Sequence, residues 1–362
     1  MSPSPRHSAS FRLDERLLPQ AEVSRLEEKR GRCSIRSSMM VLTWTSFFSN
    51  KNLSGYLGHW ECPIACDFYN RGELPETEAD AIVFHFRDIN PRSLPSHRSP
   101  KQIYASFLME SPVHTWNEHN SKIDPGYFNI SIDYRLGGEN YYYGYGRLLK
   151  ATEDEKARPL TDKEIDAILA KKKRVALAMV SNCNSPSKRE KYIKALSEEM
   201  EVTSVGSCFP NGIHCDRESN CEEELIEEHY FIFAFENSAC PDYVTEKFWR
   251  LTNNIVPIVM RRALLSGIAP DSSFVAADDF DSPKQLAEFL LKTSRDREIY
   301  SKFFSWRKDH FFHDGYSGIC DLCRDLVFNN VSTPIHFDIR DHYSERKCEA
   351  NAAANILDGI KP

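Results

Sequence analysis

The chain of 362 residues has no apolar run near the ~20 residues that a membrane-spanning helix requires. The nearest approach, Met39–Leu42 followed by Trp44 and Phe47–Phe48, is short and interrupted by Thr and Ser. The amino terminus carries no apolar leader core, so no signal peptide and no membrane span are expected in this chain. There is no GxGxxG and no P-loop, which removes the common dinucleotide and nucleoside-triphosphate fingerprints. No His pair has metal-ligand spacing in a catalytic context, no Asp-x-Asp stands where a metal would bridge a diphosphate, and no internal repeat is visible. Excess positive charge is missing too. The formal net charge is −7, whereas a nucleic-acid binder usually carries a basic domain, so nucleic acid is not an expected partner.

What is present describes a globular protein of more than one core. Hydrophobic residues make up 41% and aromatics 12%, enough to exclude wholesale disorder. A single core stops growing at ~250–300 residues, so two domains are expected. Eleven cysteines leave at least one unpaired or joined to another chain. Asn52, Asn129 and Asn330 stand in Asn-x-Ser/Thr sequons, glycosylation candidates that together with the cysteines point to an oxidising lumen. Cys62-x3-Cys66 and Cys320-x2-Cys323 could give four thiolates to zinc, or disulfides joining the two ends of the folded region; sequons and cysteine density favour disulfides.

Residues 1–50, with eight Lys and Arg against five Asp and Glu over 1–40, read as a disordered basic tail. In 51–150, Ala81–Phe86, Gln102–Met109 and Tyr127–Tyr134 read as strands and His114–Ile123 as a short helix. Residues 151–173 read as a helical crossing with Ile165, Ile168 and Leu169 on one face. From 174 to 328 the pattern alternates regularly. Val175–Val180, Tyr230–Phe235 and Ile255–Met260 are continuous apolar runs, as expected of strands covered on both faces. Helices fall between them at Lys188–Met200, Cys221–Glu228 and Tyr243–Leu251, and a Ser282 cap with Pro283 starts another. This is an α/β pattern with a parallel sheet, which binds ligands beyond the carboxyl ends of its strands. Residues 329–362 form an unassigned carboxyl-terminal extension.

Three segments fall at such strand ends. Phe235-Glu236-Asn237-Ser238 precedes Asp242-Tyr243-Val244-Thr245-Glu246-Lys247, where a helix start offers free N–H groups to a diphosphate and Lys247 adds a full charge. Glu246 can accept sugar hydroxyls and Tyr243 can stack or donate. Spacing alone favours a plainer reading, a helix capped by Asp242 with a solvated Glu/Lys pair. Val180-Ser181-Asn182-Cys183 leads to Arg189, a fork for a diphosphate or a surface arginine. Glu110, on the turn Met109-Glu110-Ser111-Pro112, is placed as a general base or as an exposed loop residue.

Together these segments resemble the α-(1,3)-fucosyltransferases of glycosyltransferase family 10. The motif Phe235–Ser238 with Tyr243–Trp249 and Val256-Pro257 is similar to the family's donor-site signature. Glu110-Ser111-Pro112, Tyr134-Arg135, Tyr145-Gly146, Val180–Cys183 with Arg189, and Cys320-Asp321-Leu322-Cys323 follow in the family's order across roughly residues 80–326. The resemblance implies a GT-B fold of two Rossmann-like domains facing a cleft, 51–150 on the acceptor side and 174–328 binding GDP-fucose. It implies Glu110 as catalytic base in an inverting transfer to O3 of an N-acetylglucosamine-containing glycan. Arg189, Asn237, Tyr243, Glu246 and Lys247 would bind the donor, with no obligatory metal and with room for stimulation by Mn2+. A Golgi setting is implied, although the family's anchor is not seen. After Tyr134-Arg135 the family's Asp-Ser-Asp run is replaced by Leu136-Gly137-Gly138-Glu139. Another nucleotide sugar, or an inactive glycan-binding protein on the same fold, are the alternatives. Core and antenna acceptors both stay open, and Cys183 with Cys240 is a pairing guessed from their strand-end positions.

Overall fold

A computed structural model describes residues 39–58, 62–64, 66–136, 140–152, 157–209, 211–216, 219–313, 317–331 and 338–360. The first sheet contains β1 (Met39–Thr43), β2 (Cys66–Asn70), β3 (Ala81–His85), β4 (Ile103–Leu108), β5 (Ile130–Asp133) and β6 (Tyr141–Tyr142) in the order β2-β1-β3-β4-β5-β6, all parallel. The basic tail expected over 1–50 is therefore corrected at its end. Residues 39–43 are an interior strand, with Val41 buried on one face of the sheet beside Ala105 and Ile130 and Leu42 on the other beside Phe84 and Tyr104. Residues 1–38 lie outside the described residues.

A second sheet holds β8 (Arg174–Met179), β9 (Val202–Val205), β10 (His229–Phe233), β11 (Val256–Val259) and β12 (Val275–Ala276) in the order β12-β11-β10-β8-β9, again all parallel. Both sheets thus repeat one plan: the first strand lies between the second and the third, and later strands add beyond the third. Where the direction of winding reverses, between β1 and β3 and between β8 and β10, the strand ends diverge and leave room for a ligand. An antiparallel ribbon of β7 (Arg147–Lys150) and β13 (His310–His313) lies just ahead of the helical crossing expected over 151–173.

The helices explain the domain plan. α1 (Leu53–Leu57) covers the first sheet, and α2 (Asp162–Leu169) starts on a Thr161/Glu164 capping box. α3 (Arg189–Ser197), α4 (Cys221–Glu228), α5 (Glu246–Trp249), α6 (Pro283–Thr293) and α7 (Arg297–Ser301) belong to the second half, and α6 carries the expected Ser282 cap, accepting from the Gln285 N–H at 3.3 Å. The expected helix at His114–Ile123 is instead two 3-10 turns, because buried Asn120 turns its amide onto the Phe86 and Thr115 carbonyls.

The chain then returns to the first half. α8 (Ser317–Phe328) lays Ile319, Leu322 and Leu326 on the first sheet, so the second domain does not run to residue 328 as expected. α9 (Ile339–His342) puts Ile339 and neighbouring Tyr343 in the core on the sheet's other face. α10 (Ala352–Leu357) crosses again, packing Ala352, Ala353 and Ile356 into the core that contains Tyr192, Ile193 and Leu196 of α3. The supposed extension is thus a strap built into both cores.

All ten described cysteines are disulfide-bonded, and the eleventh, Cys33, lies outside the described residues. Cys62–Cys320 and Cys66–Cys323 staple α8 to the β2 side of the first sheet, which replaces the zinc alternative. Cys183 pairs with Cys208 and Cys240 with Cys348, so the guessed Cys183–Cys240 bond is corrected; each finds its partner on a different covering loop. Cys215–Cys221 closes a small loop ahead of α4. Of the sequons, Asn52 and Asn330 are exposed, while the Asn129 amide oxygen is occupied by the Tyr104 N–H at 2.8 Å and Arg98 at 2.7 Å.

Candidate functional site

The carboxyl ends of the two sheets face each other and touch. Ser111 Oγ donates to Ser238 Oγ at 3.0 Å with both residues buried, and the Leu136 N–H donates to Asp242 at 3.1 Å. Glu110 emerges, half-buried, two residues after β4, and its Oε2 accepts from the Tyr243 hydroxyl at 3.4 Å. Tyr145 closes in behind it, bonding the Met109 carbonyl at 2.9 Å. Burial and the Glu110, Glu246 and Glu236 carboxylates together hold the Tyr145 phenol well above its ordinary pKa.

On the opposite side, Arg189 spans the switch point of the second sheet. One guanidinium nitrogen donates to the Phe235 carbonyl after β10 at 2.9 Å, another to the Asn182 carbonyl after β8 at 3.3 Å. The side chain is buried, its Nε has no partner, and burial lowers its pKa against the nearby Glu236, Glu190 and Glu246 charges. Asn237 Oδ1 is likewise buried and unpartnered. An orphaned buried group costs about 1–3 kcal/mol, so both invite a ligand oxygen or hydroxyl. The β8 loop that carries Asn182 is fixed by Cys183–Cys208 and by Gly206, whose φ of +103° brings the β9 loop so near Val180 that an added Cβ would lie 2.5 Å from its carbonyl oxygen.

Lys247 Nζ lies 3.2 Å from Glu236 and 3.0 Å from exposed Glu246. Burial would lower its pKa, but those carboxylates outweigh it and raise it, so the ammonium is permanently charged. The expected helix over Tyr243–Leu251 starts only at Glu246, as α5 running on into a 3-10 turn over Arg250–Asn253, and the Thr245 N–H at its start is taken by buried Glu236 at 2.8 Å. One N–H of the helix start is therefore already taken by a carboxylate, and the positive charge here comes from the side chains of Lys247 and Arg189. Asp242 does not cap the helix; at φ +63° it bridges to the first half.

The structure thus brings Glu110, Tyr243, Arg189, Glu236, Glu246 and Lys247 into one neighbourhood at the facing strand ends, with Asn237 next to Glu236. Residues 137–139, where the family's Asp-Ser-Asp run is replaced, lie outside the described residues. Sequence reasoning missed Tyr145 as a partner of the loop that carries Glu110, and Glu236 as the buried hub for Thr245 and Lys247. It also missed the switch point of the first sheet. There Phe47 stacks on Tyr56 at 4.6 Å, buried His85 lies 3.3 Å from Asp88, and Phe48 stays 46% exposed on a turn with φ +47°, under the Arg87 guanidinium. Paired left-handed residues at Phe48 and Ser49 mark a strained turn, a feature that clusters at ligand sites. Among the described residues no group of His, Cys, Asp and Glu could hold a metal ion, and no helix is long and apolar enough to cross a membrane.

Two family models match the chain: "Fucosyltransferase, N-terminal" over residues 36–146 and "Glycosyltransferase family 10 (fucosyltransferase) C-term" over residues 169–341. An α-(1,3)-fucosyltransferase C of Drosophila melanogaster is 34% identical over 81% of this chain and 74% of its own length. The α-(1,3)-fucosyltransferase fut-1 of Caenorhabditis elegans is 31% identical over 96% of this chain and 78% of its own. A crystal structure of α1,3-fucosyltransferase with GDP-fucose superposes with a TM-score of 0.55 at 15% identity, covering 85% of this chain and 95% of that one, which is a likeness of fold.

Proposed function

We infer the reaction from one premise: the chain belongs to glycosyltransferase family 10, and it is an α-(1,3)-fucosyltransferase. GDP-fucose is held in the second half. Arg189 and Lys247 meet the diphosphate, Asn237 takes up its unfilled hydrogen bond, and Glu246 accepts hydroxyls of the donor's sugars. The acceptor, a glycan bearing N-acetylglucosamine, enters over the first half, where Phe48 offers a ring face to a sugar. Glu110 removes the proton from O3. That oxygen forms a bond to C1 of fucose on the face opposite GDP as the C1–O bond to the diphosphate breaks, so the anomeric centre inverts. Negative charge grows on the departing diphosphate and is neutralised by two fixed cations that need no reorganisation. Five disulfides suit a lumenal, Golgi setting.

The observation that carries this reading is the facing arrangement itself: one carboxylate at the end of β4, two cations beside the ends of β8 and β10. Transfer from GDP-fucose to N-acetylglucosamine-terminated glycans, read by GDP release and by NMR of the new anomeric centre, tests it. Inverted product, with turnover reduced at least ~10²-fold in Glu110→Gln, is expected. Retained configuration, or near-normal turnover in that variant, would contradict it.

A further inference from the structure

Tyr243 stands in the donor half, yet its hydroxyl reaches the carboxylate of the other half. Its ring packs on Tyr134, just past β5, at 5.3 Å, within an apolar cluster that also holds Val113, Cys240 and Cys348. Ahead of it in the chain the same loop meets the first half twice more, through Ser238 to Ser111 and through Asp242 to the Leu136 N–H. The loop is also bound from behind. Cys240 is bonded to Cys348, the Glu349 N–H donates to the Ala239 carbonyl at 2.7 Å, and Glu349 pairs with buried Arg261 at 2.6 Å. This same strap is tied to the first sheet where β5 ends, by the Tyr343 hydroxyl and His342 on Asp133 at 3.0 and 2.6 Å. The loop from Ser238 to Tyr243 is therefore held against the ends of β4 and β5 by contacts in front and a covalent tie behind.

We propose that Tyr243 is a positioning residue for the base, donating its phenol proton to Glu110, with the Cys240–Cys348 strap keeping it in reach. This rests on Glu110 being the base. A hydrogen bond to a carboxylate favours its ionised form, the form that accepts a proton. It also turns the side chain, leaving Oε1 for the acceptor hydroxyl. Burial, with Glu236 and Glu110 close by, keeps the Tyr243 phenol far above its ordinary pKa, so it remains a donor across the working range. The titratable groups facing Glu110 are Tyr134 past β5, Tyr145 ahead of β7 and Tyr243; Glu236 and Glu246 share the surroundings of Tyr145, and Arg189 lies near Tyr243. Among the described residues Tyr243 is the one that donates to Glu110. A contact of 3.4 Å is long for a phenol, and such bonds commonly tighten once substrate is bound.

The test is the pH profile of kcat/KM for Tyr243→Phe, which keeps the ring and removes the proton. The acidic limb should move up by about 0.5–1 pH unit, the worth of one net hydrogen bond, with kcat/KM below the limb down about 3–10-fold. The Kd for GDP-fucose should be unchanged, because Tyr243 then serves Glu110 in place of the donor-binding role that the resemblance implies. An unmoved limb, or a loss confined to GDP-fucose binding, would overturn the proposal. The double variant Cys240→Ser, Cys348→Ser should shift the limb the same way; if it is folded by circular dichroism and keeps the wild-type profile, the strap has no such role. These results are separable from the base assignment, since Glu110→Gln with intact turnover would remove the base while an unmoved limb beside an inactive Glu110→Gln removes only the role of Tyr243.

Discussion

Past their carboxyl strand ends, the first half carries Phe47, Phe48, Arg87 and Glu110 after β1, β3 and β4, while the second carries Arg189, Glu236, Asn237, Glu246 and Lys247 around the ends of β8 and β10. The two sheets that carry them share one strand order, one direction and one kind of switch point. The backbone plan is repeated and the chemistry is divided. One side presents ring faces, Arg87 and two separated carboxylates, Glu110 and, beside His85, Asp88, and the other a charged cluster in which buried Glu236 fixes Lys247. On the proposed reading, function resides in strand-end loops placed on two sheets of like topology.

That division can be broken from either side, and the largest effect should come from its charged half. Arg189→Lys cannot reach both the Phe235 and Asn182 carbonyls while leaving a donor for the diphosphate, so kcat/KM should fall about 10²–10³-fold, chiefly through GDP-fucose, in steady-state assays with the acceptor saturating. A smaller effect tests whether the far edge of the same sheet is silent in catalysis. Lys172 is buried at the amino end of β8 with Nζ 3.3 Å from the Ile226 carbonyl, and burial brings its pKa down to about 7. Its folded-state pKa lies below the unfolded one, so stability is reduced in full below pH 7 and recovers as pH rises toward ~10.5. Lys172→Met should thus stabilise the protein by about 1–4 kcal/mol at pH 6, less at pH 9, in chemical denaturation, with turnover unaffected. The mildest effect belongs to the aromatic half: Phe48→Ala should raise the acceptor KM about 2–10-fold and leave the GDP-fucose KM and Tm alone, as expected for one exposed ring. A change in the GDP-fucose KM would erase the division.

Much of the second half was legible because its strands are buried on both faces. Val175–Val180, Tyr230–Phe235 and Ile255–Met260 stand out as unbroken apolar runs and lie within a residue or two of β8, β10 and β11. β1 did not stand out, since five residues after a long polar, basic stretch give no period to read, and only pairing with β2 and β3 makes them a strand. The strap from 338 to 360 was illegible for the same reason: its helices span one or two turns, and its anchors, Asp133 and Cys240, are more than 100 residues away. Motif resemblance singled out Glu110, Arg189 and Lys247. It could not show that Tyr243 turns toward Glu110, because that direction is set by Tyr134 and Cys348, which sequence spacing does not relate.

The central claim, that a carboxylate of one half and cations of the other play separate roles in one displacement, is tested most directly by calorimetric titration of GDP-fucose into Glu110→Gln and Lys247→Met side by side with wild type. The account predicts wild-type Kd for the inactive Glu110→Gln and a Kd weakened about tenfold or more for Lys247→Met. Weakened donor binding in Glu110→Gln, or unchanged binding in Lys247→Met, would contradict it.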